Sequence, residues 1–281
     1  MRFTPIAYTE RALDEYAELF AQCFPGTSHF TRAYLAWLYA ANPDGNALGF
    51  DAWADDGTLA AHYVCIPAKA RVEGQEVSVL LSLNTATRPQ FQGKGLFTKL
   101  AALTFEAGAA TGYDGVYGVA NANSTPGFIR KLGFQLVRPL EAMVGVGKLG
   151  TGPIPANLSF ERMWSDSALA WRCSSPINRI QCRARGTVWQ FHARALTMVP
   201  AYAELDRGIG LQAVDSGAPL TPLRLFLGLV PDQARGLATY ASIPVRMRPS
   251  PLNLIYRSFS PRVTELDPAL IRFSFLDFDA Y

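Results

Sequence analysis

Charge is sparse in this sequence. Asp, Glu, Lys and Arg make up 17% of its 281 residues, and the net charge is only +3. Soluble domains usually carry about a quarter charged residues. No basic run stands out, and the arginines of the C-terminal half are scattered rather than clustered. That pattern is not the electrostatic footprint of a nucleic-acid binder. Cysteine is scarce as well. Cys23, Cys65, Cys173 and Cys182 form no C-x-x-C pair and none stands at metal-ligand spacing from a histidine. They read as core or free thiols in a reducing compartment, with no metal site. Long apolar runs are missing too. Leu223 to Val230 falls well short of the roughly 18 residues of a membrane span. Met-Arg-Phe-Thr-Pro is followed by no apolar stretch of signal-peptide kind. These absences predict a cytoplasmic protein with no nucleic-acid or membrane partner. They leave homo-oligomerisation open.

Apolar content is ample, at 49%, for one large domain or two small ones. Arg2 to Tyr8 reads as a strand. Leu13, Tyr16, Leu19, Phe20 and Cys23 are at helical spacing and stop at Pro25-Gly26. Ser28 is the expected cap of a second helix through Tyr39. Ala47–Ala54 and Leu59–Pro67 flank Asp55-Asp56-Gly57, a hairpin signal. Ala68–Val72 and Val77–Thr87 form a second pair. A helix from about Lys94 to Thr111, a strand at Val116–Val119, a short helix near Pro126–Leu132 and a strand to Val137 follow. Residues 145–157 have the composition of a linker. Beyond it, strand-like runs cover Thr187–Ala193, Ala195–Pro200, Gly208–Val214, Leu237–Ile243, Leu252–Phe259 and Leu270–Phe278, with a helix-like run at Pro222–Leu229. Tyr34-Leu-Ala-Trp37 is echoed by Ala168-Leu-Ala-Trp171, each running on to a proline. This internal repeat suggests two related halves.

The most informative stretch is Thr85-Ala-Thr-Arg-Pro-Gln-Phe-Gln-Gly-Lys-Gly-Leu-Phe97. Gly93 and Gly95 sit where a strand hands over to a helix. Glycines there align backbone N–H groups at the positive end of the helix dipole, which seats a phosphate. The loop lacks G-x-x-x-x-G-K-[ST] and the third glycine of G-x-G-x-x-G, so it is neither a Walker loop nor a dinucleotide fingerprint. A literal G-x-G-x-x-G at Gly145, Gly147 and Gly150 runs into Thr-Gly-Pro-Ile-Pro, which does not open a helix.

Gln90-x-x-Gly93-x-Gly95 resembles the acyl-CoA loop of the GNAT acyltransferase superfamily, [QR]-x-x-G-x-[GA]. Asn121-Ala-Asn-Ser-Thr-Pro-Gly-Phe-Ile-Arg-Lys-Leu-Gly-Phe134 resembles that family's next signature. The order of elements before the loop fits as well. The resemblance covers residues 1–140, and the rest only through the repeat. It implies an α/β (α+β) fold: a mixed central sheet with flanking helices, then a second, smaller domain of the same type. The expected division is 1–147, a linker at 148–157, and a degenerate copy at 158–281. Acetyl-CoA is the implied co-substrate. Thr85, Ala86 and Thr87 would run beside its pantetheine arm. Gln90, Phe91, Gln92, Gly93, Lys94, Gly95 and Leu96 would hold the pyrophosphate. Asn121 or Asn123 would touch it further on.

The family often places a tyrosine on the short helix as the acid for the leaving thiolate. Here that position is Ile129, which transfers no proton. An amine must be neutral to attack a thioester, so a base or a water chain is needed. Weak candidates are His62 and Asn84 on the central strands. Some tandem members thread the chain's terminal carboxylate into the site, which brings in Tyr281, although a solvated tail is the expectation here. The implied reaction moves an acetyl or short acyl group onto the primary amine of a small molecule, with an amino sugar suited to it. The alternatives are a protein lysine or N-terminus as acceptor, and a coenzyme A-binding module without catalysis.

Overall fold

In the computed structural model the described residues are 1–207, 215–260 and 265–279. Strand β1 (Arg2–Pro5) leads to Thr9, whose side chain accepts from the Ala12 amide and caps helix α1 (Glu10–Cys23). Helix α2 (Arg32–Ala40) is capped in the same way by Thr31, not by the expected Ser28. Thr31 is the polar residue three positions before Tyr34, the first of the buried residues Tyr34, Leu35, Leu38 and Tyr39. Strands β2 (Leu48–Trp53), β3 (Leu59–Val72) and β4 (Gln75–Thr87) form an antiparallel meander. Gly57, at φ +86°, turns the first hairpin. The two strands expected at Leu59–Pro67 and Ala68–Val72 are one. Pro67 breaks nothing, because it falls in the gap on one edge of β3 between the partners of Cys65 and Lys69.

Helix α3 (Leu96–Ala110), strand β5 (Gly115–Ala120), helix α4 (Thr125–Leu132) and strand β6 (Gln135–Pro139) complete the first half. The second half holds β7 (Glu141–Val146), β8 (Phe160–Met163), α5 (Asp166–Cys173), β9 (Gln181–Arg185), β10 (Val188–Ala193), β11 (Ala201–Asp206) and β12 (Leu223–Leu229). Then come β13 (Tyr240–Ser242), β14 (Asn253–Ser258) and β15 (Ile271–Ser274). The segment Ala195–Pro200 is not a strand, and the expected strand Gly208–Val214 lies outside the described residues. Pro222–Leu229 is a strand, not a helix. Its apolar run lacks alternation because β12 is covered on both faces, with Leu229 in one core cluster and Phe226 in another.

The strand orders of the halves match. The first reads β1-β2-β3-β4-β5-β14-β6 and the second β9-β10-β11-β12-β7-β13. In each, one parallel pair sits among antiparallel ones: β4 with β5, and β11 with β12. Each half also takes its penultimate strand from the other. Strand β14 enters the first sheet between β5 and β6, and β7 enters the second between β12 and β13. A boundary at 148–157 therefore does not separate the sheets, since β7 precedes it and β14 follows it. The linker-like composition that starts at residue 145 overlaps the end of β7, and a Cβ on Gly145 would stand 2.5 Å from the Thr239 carbonyl oxygen. Strands β8 and β15 join the sheets into one of 15 strands.

Helices α1 and α2 cover one face of the first sheet, and α3 and α4 the other. The repeat seen in sequence is a contact in space. Trp37 and Trp171 stack at 4.8 Å between centroids, and each indole N–H donates to the other's carbonyl, at 3.2 and 3.1 Å. Among the described residues, no helix is long and apolar enough to cross a membrane.

Candidate active site

The site begins where a parallel pair of strands comes apart. Strands β4 and β5 are paired from Val79↔Gly115 to Ser82↔Gly118, and there the ladder stops. Strand β4 runs on to Thr87 and β5 to Ala120, so one edge of each is released. A bulge lies just past the parting. His62 faces Ala86 and Val64 faces Leu83, leaving Asn84 and Thr85 opposite Tyr63 alone. Asn84 takes φ +46°, a conformation that asparagine tolerates better than most residues.

The chain then enters the glycine loop. Pro89–Phe91 make a 3-10 turn, in which the Phe91 and Gln92 amides donate to Arg88 and Pro89 carbonyls. Gly93 and Gly95 adopt φ +76° and +73°. A Cβ on Gly93 would meet nothing within 4 Å, so the glycine serves the backbone turn and not a tight fit. The N–H groups of Gly93, Lys94 and Gly95 have no acceptor among the described residues. The first turn of α3 adds its own unpaired N–H groups, and no side chain caps it. Unpaired donors at a helix N-terminus favour an anion.

The loop forms one wall of a cleft of about 410 Å³. Of the residues expected at the cofactor, Thr85, Ala86, Thr87, Phe91, Gln92, Gly93, Gly95 and Leu96 line it. Gln90 and Lys94 belong to the loop but do not, and the Lys94 ammonium instead lies 4.9 Å above the Phe91 ring centre. Asn121 and Asn123 are exposed and stand outside the cleft. Asn121 is spent locally, its Oδ1 accepting the Asn123 and Ser124 amides at 3.0 Å. Cys23, Phe24, Phe97, Thr98, Gly127 and Lys131 line the cleft without having been singled out. Lys131 stands in the Lys-Leu-Gly-Phe motif, so a signal existed for it. Cys23 and Phe24 come from the end of α1, which nothing local ties to the loop. Burial raises the Cys23 thiol pKa, with Arg88 opposing, so this thiol stays protonated.

Ile129 is half-buried and packs with the cluster under α3, so it supplies no acid. His62 is fully buried and faces α1 and α2, not the open cleft. Its Nδ1 is 2.7 Å from Asp51 Oδ1, and its Nε2 is 3.1 Å from the Tyr39 hydroxyl. Asn84 is half-buried and donates from Nδ2 to the Tyr39 oxygen at 3.2 Å. Tyr281 lies outside the described residues. The tail before it is packed rather than solvated: Asp277 and Phe278 are buried, and Asp279 Oδ2 accepts the Tyr34 hydroxyl at 2.7 Å.

Residues 4–137 match the family model of the acetyltransferase (GNAT) domain. The chain carries a GNAT acetyltransferase domain. Solved structures share the fold along both halves. A GCN5-related N-acetyltransferase from Kribbella flavida superposes with a TM-score of 0.63 at 14% identity, covering 92% of this chain and 71% of that one. A probable N-acyltransferase from Enterococcus faecalis V583 gives 0.58 at 10% identity, covering 92% and 72%. Eis1 from Mycobacterium abscessus gives 0.56 at 11% identity, covering 90% and 73%. No curated protein matches the chain.

Proposed function

We propose that this GNAT chain is an N-acyltransferase that moves an acetyl or other short acyl group from acyl-CoA to the primary amine of a small molecule, such as an amino sugar. The observation that carries the reading is the row of unpartnered N–H groups at Gly93, Lys94 and Gly95, set at the mouth of the cleft. These residues fit a pyrophosphate. Lys131, with no ion-pair partner among the described residues, adds positive charge on the cleft wall. The released edge of β4 at Thr85–Thr87 offers backbone groups to the amides of a pantetheine arm.

Acyl-CoA supplies a thioester: the amine nitrogen bonds to its carbonyl carbon, the C–S bond breaks, and a proton shed by nitrogen ends on sulfur. Direct transfer suits the cleft better than a covalent enzyme intermediate. The cleft thiol, Cys23, is held protonated by burial and is a poor nucleophile. The second half, on this reading, is a degenerate copy without an acyl-CoA loop of its own. The test is thiol release from acetyl-CoA with amino sugars, polyamines, amino acids and peptides. Release with a small amine supports the reading, and release with peptides alone moves the acceptor to protein. Tight acetyl-CoA binding without release from any of them makes the chain a binding module.

A further inference from the structure

Beneath the bulge of β4 lies a chain of polar side chains in an otherwise apolar layer. Asp51, His62, Tyr39 and Tyr16 are each at most 2% exposed. Asp51 Oδ2 accepts the Tyr16 hydroxyl at 2.7 Å, and the Tyr16 oxygen accepts the Ala7 amide at 2.9 Å. Asp51 Oδ1 receives Nδ1 of His62, so Nδ1 carries the ring proton. In the neutral ring Nε2 is an acceptor, to which the Tyr39 hydroxyl donates. The Tyr39 oxygen is left to accept, and the Asn84 amide nitrogen donates to it. Every donor is assigned once the carboxylate at the far end is fixed. The last consequence falls on Asn84. Its Nδ2 is spent on Tyr39, which leaves Oδ1 as the free end of the amide. That oxygen has no donor among the described residues.

The position of Asn84 gives the oxygen a use. It lies two residues past Ser82, where β4 and β5 separate, and directly before the cleft-lining Thr85. Its φ of +46° is held by the bulge and by the bond to Tyr39. Resting on the acyltransferase reading above, we propose that Asn84 Oδ1 accepts a hydrogen bond from the acceptor amine. Asp51, His62 and Tyr39 are then positioning residues that hold the amide by its nitrogen and leave its oxygen free. The nitrogen of an amine offers an N–H to that oxygen and its lone pair to the thioester. An alcohol or thiol has a single hydrogen, which it loses in the reaction, so the arrangement selects nitrogen acceptors.

The test uses Asn84→Gly, which removes the amide and keeps a residue at ease at positive φ. Acceptors are glucosamine, spermidine and lysine, with acetyl-CoA as donor. The expected result is a 10- to 100-fold loss in kcat/KM for the amine, with acetyl-CoA affinity by calorimetry within twofold of wild type. Tyr39→Phe frees the amide to rotate and should lose about threefold to tenfold in the same parameter, assayed below its lowered Tm. An Asn84→Gly enzyme within twofold of wild type for every amine overturns the inference while leaving the transferase reading intact. A parallel loss of acetyl-CoA affinity also overturns it, because the chain would then only support the cleft. A wild-type protein that binds acetyl-CoA and acetylates none of the three amines defeats the transferase reading and this inference together.

Discussion

In the first half, β4 and β5 are parallel for four residue pairs and then part; in the second, β11 and β12 are parallel for two pairs and then part. Parting strands leave backbone groups unpaired and a gap between them, and something must fill both. In the first half the gap opens on the glycine loop and the cleft. In the second half the protein fills it itself. Past Phe226, β12 turns the edge it had shared with β11 over to β15, through Gly228↔Ser274 and Leu229↔Phe273. The next turn, Phe275–Asp277, packs against both β11 and β12, and Phe275 and Leu276 are fully buried there. Residues 215–222, which lead into β12, hold no helix. One strand geometry is thus left open on a cleft in the first half and plugged by the tail in the second.

This comparison can be broken at several points. The largest expected stability effect is at the contact that relates the halves. Trp171→Ala removes a stacked ring and one of the two reciprocal hydrogen bonds, that from its indole to the Trp37 carbonyl, and should cost about 3–5 kcal/mol. Denaturant unfolding measures it, and a cycle with Trp37→Ala should be clearly non-additive. Additive losses would mean that the two tryptophans act separately.

Next comes the plug. Arg172 is buried and donates to the carbonyls of Leu276, Phe275 and Phe278, at 3.1, 3.2 and 2.6 Å. Arg172→Met removes the donor to three carbonyls and should cost about 3–4 kcal/mol. A Tm unchanged within a degree would show that the tail is held by its apolar residues alone.

The third concerns the two buried histidines. Both nitrogens of His62 are bonded, whereas neither nitrogen of His192 has a partner among the described residues. Burial, with Arg224 and Arg183 adding to it, pushes the His192 pKa from 6.5 down to about 4. The unfolded chain therefore binds a proton below pH 6.5 that the folded chain refuses until about pH 4. Stability contributed by the neutral ring is complete above pH 6.5 and falls by about 3 kcal/mol on the way to pH 4. His192→Phe should flatten that part of the stability curve. The same acid slope in the variant would place the sensitivity elsewhere.

Much of the first half was legible because its signals are local. The spacing of Leu13, Tyr16, Leu19 and Phe20, the Asp56-Gly57 turn, and the glycines before α3 each dictate a nearby shape. The exchange of β7 and β14 was not legible, because strand partners far away in sequence leave no local mark. Leu223–Leu229 misled for a related reason: a strand covered on both faces loses its alternation. At the site, the loop was readable from Gly93 and Gly95. Asn121 stands outside the cleft, with its side chain capping its own turn. His62 and Asn84 were visible as polar residues on strands. That Tyr39 joins them depends on how α2 lies over the sheet.

The proposed function puts one acyl-CoA seat in each chain, at the glycine loop of the first half. Titration calorimetry with acetyl-CoA, on the wild type and on Gly93→Asp, tests it most directly. The variant sets a carboxylate on the seat, so like charge should repel the pyrophosphate. The account predicts one site per chain in the wild type and at least about a 100-fold loss of affinity in the variant, a difference of roughly 3 kcal/mol. Two sites per chain, or an undiminished affinity in a folded Gly93→Asp protein, would contradict it.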